Sequence, residues 1–155
     1  MNLILVLDNI RSLYNVGAIF RTAEGLGVSE IILCGITPTP PRKEIHKTAL
    51  GAETRISWRH AESTIDLIKE VRNKGTLVYA LELTPDAIPL DQFDQLDKSD
   101  QSNPIYLVVG HERLGVNDEV LNLVDNKIMI PMRGQVKSLN VASATAIACW
   151  HILDG

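Results

Sequence analysis

The chain has 155 residues, of which 45 % are hydrophobic and 22 % charged, and its formal net charge is −4. These values suit one globular domain with a single core and exclude a disordered chain. No apolar run approaches the roughly 18 residues of a bilayer-spanning helix, so a membrane partner is not expected.

The start, "MNLILVLDN", is apolar without a basic leader or a cleavage site, and 3–7 is predicted as a first, buried strand. A helix is predicted over 15–26, with Asn15 as N-cap, Gly17 permitting close approach at the helix start, and Val16, Ile19, Phe20 and Ala23 on one stripe. "EIILCG" reads as a second strand, and "PTPPRK" as a loop that its prolines keep out of helix. A short helix over 43–50 and an extended piece at 56–59 follow. Next comes a helix over 62–73 with Ile65, Ile68 and Val71 inward, stopped by Gly75. "TLVYALEL" is a strand, and the Asp-rich segment with Pro85, Pro89 and Pro104 is predicted as a long surface connection. "IYLVVG" and "KIMIP" are strands on either side of a helix over 117–124, and a last helix runs over 138–153 with Ser138 as its N-cap.

Strands that are apolar throughout, separated by helices, indicate an α/β fold: a parallel sheet flanked by helices on both faces. Residues 1–155 are expected to form one domain, since no repeat or dividing linker is visible. In such folds ligands gather beyond the carboxyl ends of the strands. Loops carrying Gly and polar residues leave after Leu7, Val109 and Pro131. Neither the G-x-G-x-x-G fingerprint nor a P-loop is present, which argues against a dinucleotide dehydrogenase or a nucleoside triphosphatase.

Charge is unevenly spread. The stretch 86–100 holds five aspartates and one lysine, whereas 42–59 carries Arg42, Lys43, Lys47, Arg55 and Arg59 against Glu44 and Glu53. Arg133 and Lys137 form a second basic group. Such clusters permit a polyanionic partner without demanding one. Cys34 and Cys149 lie far apart in apolar contexts, as expected of reduced, buried thiols in a cytoplasmic protein. No Cys/His spacing suggests a metal.

Three motifs stand at predicted strand ends or helix starts. "NVGAIFRTA" places Asn15, Gly17 and Arg21 on one helix, where Arg21 leans back towards Asn15. "GHERLGV" sets Glu112 in a turn between Gly110 and Gly115. "IPMRGQVKSLNVASA" carries Ser138 and Asn140 before a run of small side chains, which suggests that something approaches that backbone closely.

Together and in this order the motifs resemble those of the SpoU/TrmH family of SPOUT RNA 2′-O-ribose methyltransferases: N-x-G-x-x-x-R, G-x-E-x-x-G, and I-P-M followed by S-L-N-V. The resemblance covers nearly the whole chain. It implies transfer of a methyl group from S-adenosylmethionine to a ribose 2′-hydroxyl of tRNA or rRNA, with tRNA preferred, and a C-terminal trefoil knot of the SPOUT type. It also implies a homodimer, and the chain looks like the catalytic domain alone, without an appended RNA-binding domain. By the same resemblance the catalytic residues are Arg21, Asn15, Glu112, Ser138 and Asn140. The resemblance likewise implies that Leu81, Glu82, Gly110, Ile130, Ser138 and Leu139 hold the cofactor. Arg42, Lys43, Lys47, Arg55, Arg113 and Arg133 are the RNA-binding candidates.

A sulfonium methyl donor is already activated, so the obstacle is the acceptor hydroxyl, which is a poor nucleophile until its proton leaves. A positioned base assists such a step by about 10²–10⁴-fold. The family's activating residue corresponds to Arg21, but a guanidinium stays protonated to about pH 12. Stabilising the developing alkoxide, or holding an RNA phosphate that shares the proton, is physically easier than abstraction. Asn15 and Asn140 would orient Arg21 or the ribose, and Glu112 would fix its loop or pair with Arg21. The rival reading is a non-catalytic RNA-binding or ribosome-assembly factor on the same fold. The complete polar set argues against it, because binding alone does not need every member.

Overall fold

The structure, a computed structural model, describes residues 1–93 and 102–154. Its elements are β1 (Leu3–Asp8), α1 (Leu13–Leu26), β2 (Glu30–Cys34), α2 (Lys43–Ala49), β3 (Ser57–Ala61), α3 (Thr64–Asn73), β4 (Val78–Leu81), β5 (Ile88–Pro89), β6 (Ile105–Gly110), α4 (Asp118–Leu123), β7 (Asn126–Met129) and α5 (Val141–Asp154). The strands form one sheet in the order β3-β2-β1-β6-β4-β7-β5. Every pairing is parallel. The α/β expectation is therefore met.

The pleat of β1 explains the layers. Its side chains alternate between faces, and Leu3, Leu5 and Leu7 join Val16, Ile19 and Phe20 of α1, Ile45 of α2 and Ala148 of α5 in one core. Ile4 and Val6 join Ile68 of α3 and Val120 of α4 in the other. Burying both faces is why the strand is apolar at every position from Leu3 to Leu7. Each fully buried Leu or Ile contributes about 1.5–3 kcal/mol by its removal from water.

Several predicted boundaries shift. Ser12, not Asn15, caps α1: its side chain accepts the Asn15 N–H, and Asn15 itself is buried in the first turn. Gly17 does not open the helix to a ligand. A Cβ there would strike Thr48 Oγ1 and the Ile45 carbonyl, so the glycine lets α2 pack against α1. The third helix starts at Thr64, capped by Ser63, rather than at residue 62. The last starts at Val141, and Asn140 rather than Ser138 caps it, through Oδ1 to the Ala142 and Ser143 N–H groups (2.9 and 3.3 Å). The Asp-rich connection is not wholly a surface segment. Ile88–Pro89 pairs with β7, and Ala87, Leu90 and Phe93 are buried. The remainder of that predicted connection, with Asp94, Asp97 and Asp100, lies outside the described residues.

Candidate active site

The loops leaving β4, β6 and β7 surround one cleft at the carboxyl edge of the sheet. Leu81, Glu82, Gly110, Ile130, Ser138 and Leu139, the six cofactor candidates, all line it. Glu112, Arg113 and Lys137 stand around it too. Val141 and Ala144 of α5 form part of the wall, so some of the small residues of the last helix do face the cleft. Thr145 and Ala148 instead are buried and serve packing.

Glycines and carboxylates hold the loop after β6 in place. His111 and Gly115 exchange backbone hydrogen bonds (3.1 and 2.9 Å), which closes the turn that carries Glu112. A Cβ on Gly110 would run into the Gly115–Val116 backbone, so that strand end tolerates no side chain. Gly115 has φ 70°, and a Cβ on it would meet the Glu82 carboxylate. Glu82 accepts the Val116 N–H at 2.7 Å from one side. Asp8, buried at the end of β1, accepts the Asn117 N–H (3.1 Å) and the Thr64 hydroxyl (2.7 Å) from the other. The sequence reading missed Asp8. Its signal was a carboxylate ending an otherwise apolar strand.

Glu112 is the hub of the catalytic candidates. Its carboxylate accepts the backbone N–H groups of Ser12 (2.9 Å) and Arg11 (3.2 Å), and the Asn15 side-chain amide at 3.4 Å. Desolvation is the largest influence on this carboxyl and raises its pKa, but the Ser12, Arg11 and Asn15 donors together lower it below the ordinary value of 4.5. An ionised carboxylate only accepts, so the Asn15 amide must present its nitrogen to Glu112. Its oxygen then accepts from the Asn140 Nδ2 at 3.2 Å. The three motifs, remote in sequence, thus meet in one chain, Glu112–Asn15–Asn140.

Arg21 does not join them. It is exposed on α1 and borders a shallow depression with Thr22, Leu26, Ala146, Ile147 and Trp150. Of the two roles expected for Glu112, loop fixing is observed, and pairing with Arg21 is not. The basic candidates divide as well. Lys43, Lys47, Arg113 and Arg133 are exposed. Arg55 bonds Glu24 (3.2 Å) and Arg42 lies 3.7 Å from Glu44, while neighbouring Arg59 bonds Glu30 (3.0 Å), so the 42–59 cluster is less positive than its composition suggested.

Known proteins resemble the chain in sequence and in fold. The chain is 27 % identical over 150 residues to the tRNA (guanosine(18)-2′-O)-methyltransferase of Escherichia coli K12, matching 97 % of this chain and 62 % of that protein. It is 31 % identical over 146 residues to an enzyme of that name from Thermus thermophilus, covering 94 % and 71 % of the two chains. A crystal structure of an AdoMet-bound rRNA methyltransferase from Sinorhizobium meliloti superposes with a TM-score of 0.87 at 30 % identity, over 97 % of this chain and 55 % of that one. The chain therefore spans less than two thirds of the E. coli relative's length. The profile of the SpoU rRNA Methylase family matches residues 2–150, and with the motifs meeting at one sheet edge the chain belongs to that family.

Proposed function

We propose that the protein transfers a methyl group from S-adenosylmethionine to a ribose 2′-hydroxyl of tRNA or rRNA. The observation that carries this reading is the Glu112–Asn15–Asn140 chain beside a cleft lined by all six cofactor candidates. The relatives' names support it, since the matched proteins act on tRNA or rRNA and one is AdoMet-bound.

The cleft suits the cofactor. Ile130, Met132 and Leu139 offer apolar surface for a purine. The backbone at 130–132 and 137–139 lies outside helix and strand, so its polar groups are not committed to ladders. When bound, S-adenosylmethionine supplies an electrophilic methyl on a sulfonium. The protein's share is positional and electrostatic. Glu112 holds the β1–α1 turn by its two backbone N–H groups and aims Asn15 at Asn140. Ser138, exposed at the rim, reaches the acceptor ribose. Arg21 stabilises the developing alkoxide or holds a phosphate that shares its proton.

That role requires a second subunit, because Arg21 lies away from the cleft within one chain. A two-fold homodimer through α1 and α5 would cover Ile147 (43 % exposed) and Trp150 (59 % exposed) beside Arg21 and bring each Arg21 towards the partner's cleft. Residues 1–155 are read as one catalytic domain. A trefoil knot over its C-terminal part is supported by the insertion of β4 between β6 and β7 and by the return of α5 to pack on α1 and β6. A cytoplasmic location accords with the RNA substrate and the free buried thiols of Cys34 and Cys149. Methyl label carried from S-adenosylmethionine into total RNA tests the activity. Binding of RNA without incorporation would favour an assembly factor on the same fold.

A further inference from the structure

The loop after β2 and the edge strand β3 build a second concave surface that the proposed transfer does not use. Trp58 and His60 sit two apart on β3 and share a sheet face. Trp58 packs partly on the core and leaves the rest of its ring open. His60 donates its Nε2–H to the Gly35 carbonyl at 2.9 Å, which fixes the ring against the loop. Pro38, Pro40 and Pro41 form the opposite wall, and Arg42 closes one end, half-exposed and 3.7 Å from the Glu44 carboxylate, from which an RNA phosphate would have to draw it.

The groove is fastened to the candidate active site. Thr37 Oγ1 accepts the Ile10 N–H at 3.1 Å, and Asn9 Oδ1 accepts the Ile36 N–H at 3.0 Å. The next residues, Arg11 and Ser12, are those that bond Glu112. β3, which carries Trp58 and His60, lies three strands from β6, about 14 Å at normal strand spacing. An RNA strand whose target ribose lies in the cleft passes within reach. Aromatic, imidazole and proline faces with a guanidinium at one end suit a splayed base and its phosphate.

We propose that this groove is a subsite for an unpaired nucleotide flanking the methylated one, its base stacked on Trp58 and its phosphate on Arg42. The inference rests on the RNA methyltransferase reading above. Affinity for bulk tRNA and for fragmented rRNA, from a strain lacking this protein, is measured apart from methyl transfer for the wild type, Trp58→Phe, Trp58→Ala and Arg42→Ala. Trp58→Ala should weaken RNA binding about tenfold, and Trp58→Phe should recover most of the loss. Arg42→Ala should lower the salt slope of binding by about one. S-adenosylmethionine affinity should hold in all three. Should Trp58→Ala fail to fold, because Trp58 also touches the core, Arg42→Ala decides. Unchanged salt slope in Arg42→Ala, with unchanged affinity in Trp58→Ala where that variant folds, would overturn the subsite and leave the groove to a protein partner. A wild type that binds RNA without transferring methyl would sink the enzyme reading instead, and the affinities would still judge the groove.

Discussion

Glu112→Gln and Glu112→Ala probe the hub of the site. The carboxylate takes two backbone N–H bonds from Arg11 and Ser12 and one from Asn15. Bonds to a charged acceptor contribute about 1.5–3 kcal/mol when sheltered, and nearer 0.5–1.5 kcal/mol where water competes. Glu112 is exposed, so the lower range applies. Losing both backbone bonds in Glu112→Ala should cost about 1–3 kcal/mol, or about 2–4 °C in melting temperature for each kcal/mol at this chain length. Glutamine retains one acceptor oxygen and turns an NH₂ towards the other N–H, so roughly half that loss is expected. The effect on turnover should be larger than stability alone explains. Asn15 loses the partner that aims its amide at Asn140, and a misplacement of this kind lowers rate by about 10²-fold. Melting curves, calorimetry with S-adenosylmethionine and single-turnover methylation of RNA separate these effects. A Glu112→Gln protein with wild-type melting temperature and single-turnover rate would refute the proposed hub.

Further expectations concern the cleft, the interface and titration. Gly110→Ala should displace the 111–117 loop, destabilise the protein by about 1–3 kcal/mol and abolish cofactor binding; calorimetry showing normal affinity would count against a tight strand end. Arg21→Ala should keep cofactor affinity and lower turnover by roughly 10²-fold or more, with Arg21→Lys rescuing only if charge alone matters. Trp150→Arg should give a monomer by light scattering and inactivate the protein, whereas an active monomer would remove the need for a second Arg21. Burial pushes the Cys34 and Cys149 thiols up to about 11 and about 12, so both should resist thiol reagents at pH 8 until the chain unfolds. The Glu112 carboxyl has a folded value below 4.5, so its contribution is present above that pH and lost as pH falls through the folded value; melting temperature should therefore drop more steeply on acidification in wild type than in Glu112→Gln.

The strands were legible because parallel strands covered on both faces must be apolar at every position, as in "LILVL". The motifs were legible as glycines and polar residues at strand ends. What eluded the sequence depends on partners remote in the chain. Asn15 looks like a helix cap, yet it is buried because Glu112 and Asn140 satisfy its amide. Ser138 and Asn140 are both capping types, and only backbone geometry selects Asn140. Arg55 and Arg59 read as free cations, but Glu24 and Glu30, distant in sequence, neutralise them. The placement of Arg21 away from the cleft has no local signature, because helical leaning says nothing of which loops lie nearby. A two-residue strand such as Ile88–Pro89 is too short for any periodic pattern.

The central claim is methylation at the ribose 2′-oxygen, and alkaline hydrolysis tests it most directly. RNA from a strain lacking the protein is incubated with the protein and methyl-labelled S-adenosylmethionine, then cleaved with alkali. A 2′-O-methyl group removes the hydroxyl that attacks the neighbouring phosphate, so the label is expected in alkali-resistant dinucleotides, formed about 10²-fold more slowly with Glu112→Ala and Arg21→Ala. Label recovered only in mononucleotides would place the methyl on a base and contradict the mechanism. No label in RNA at all would contradict the activity.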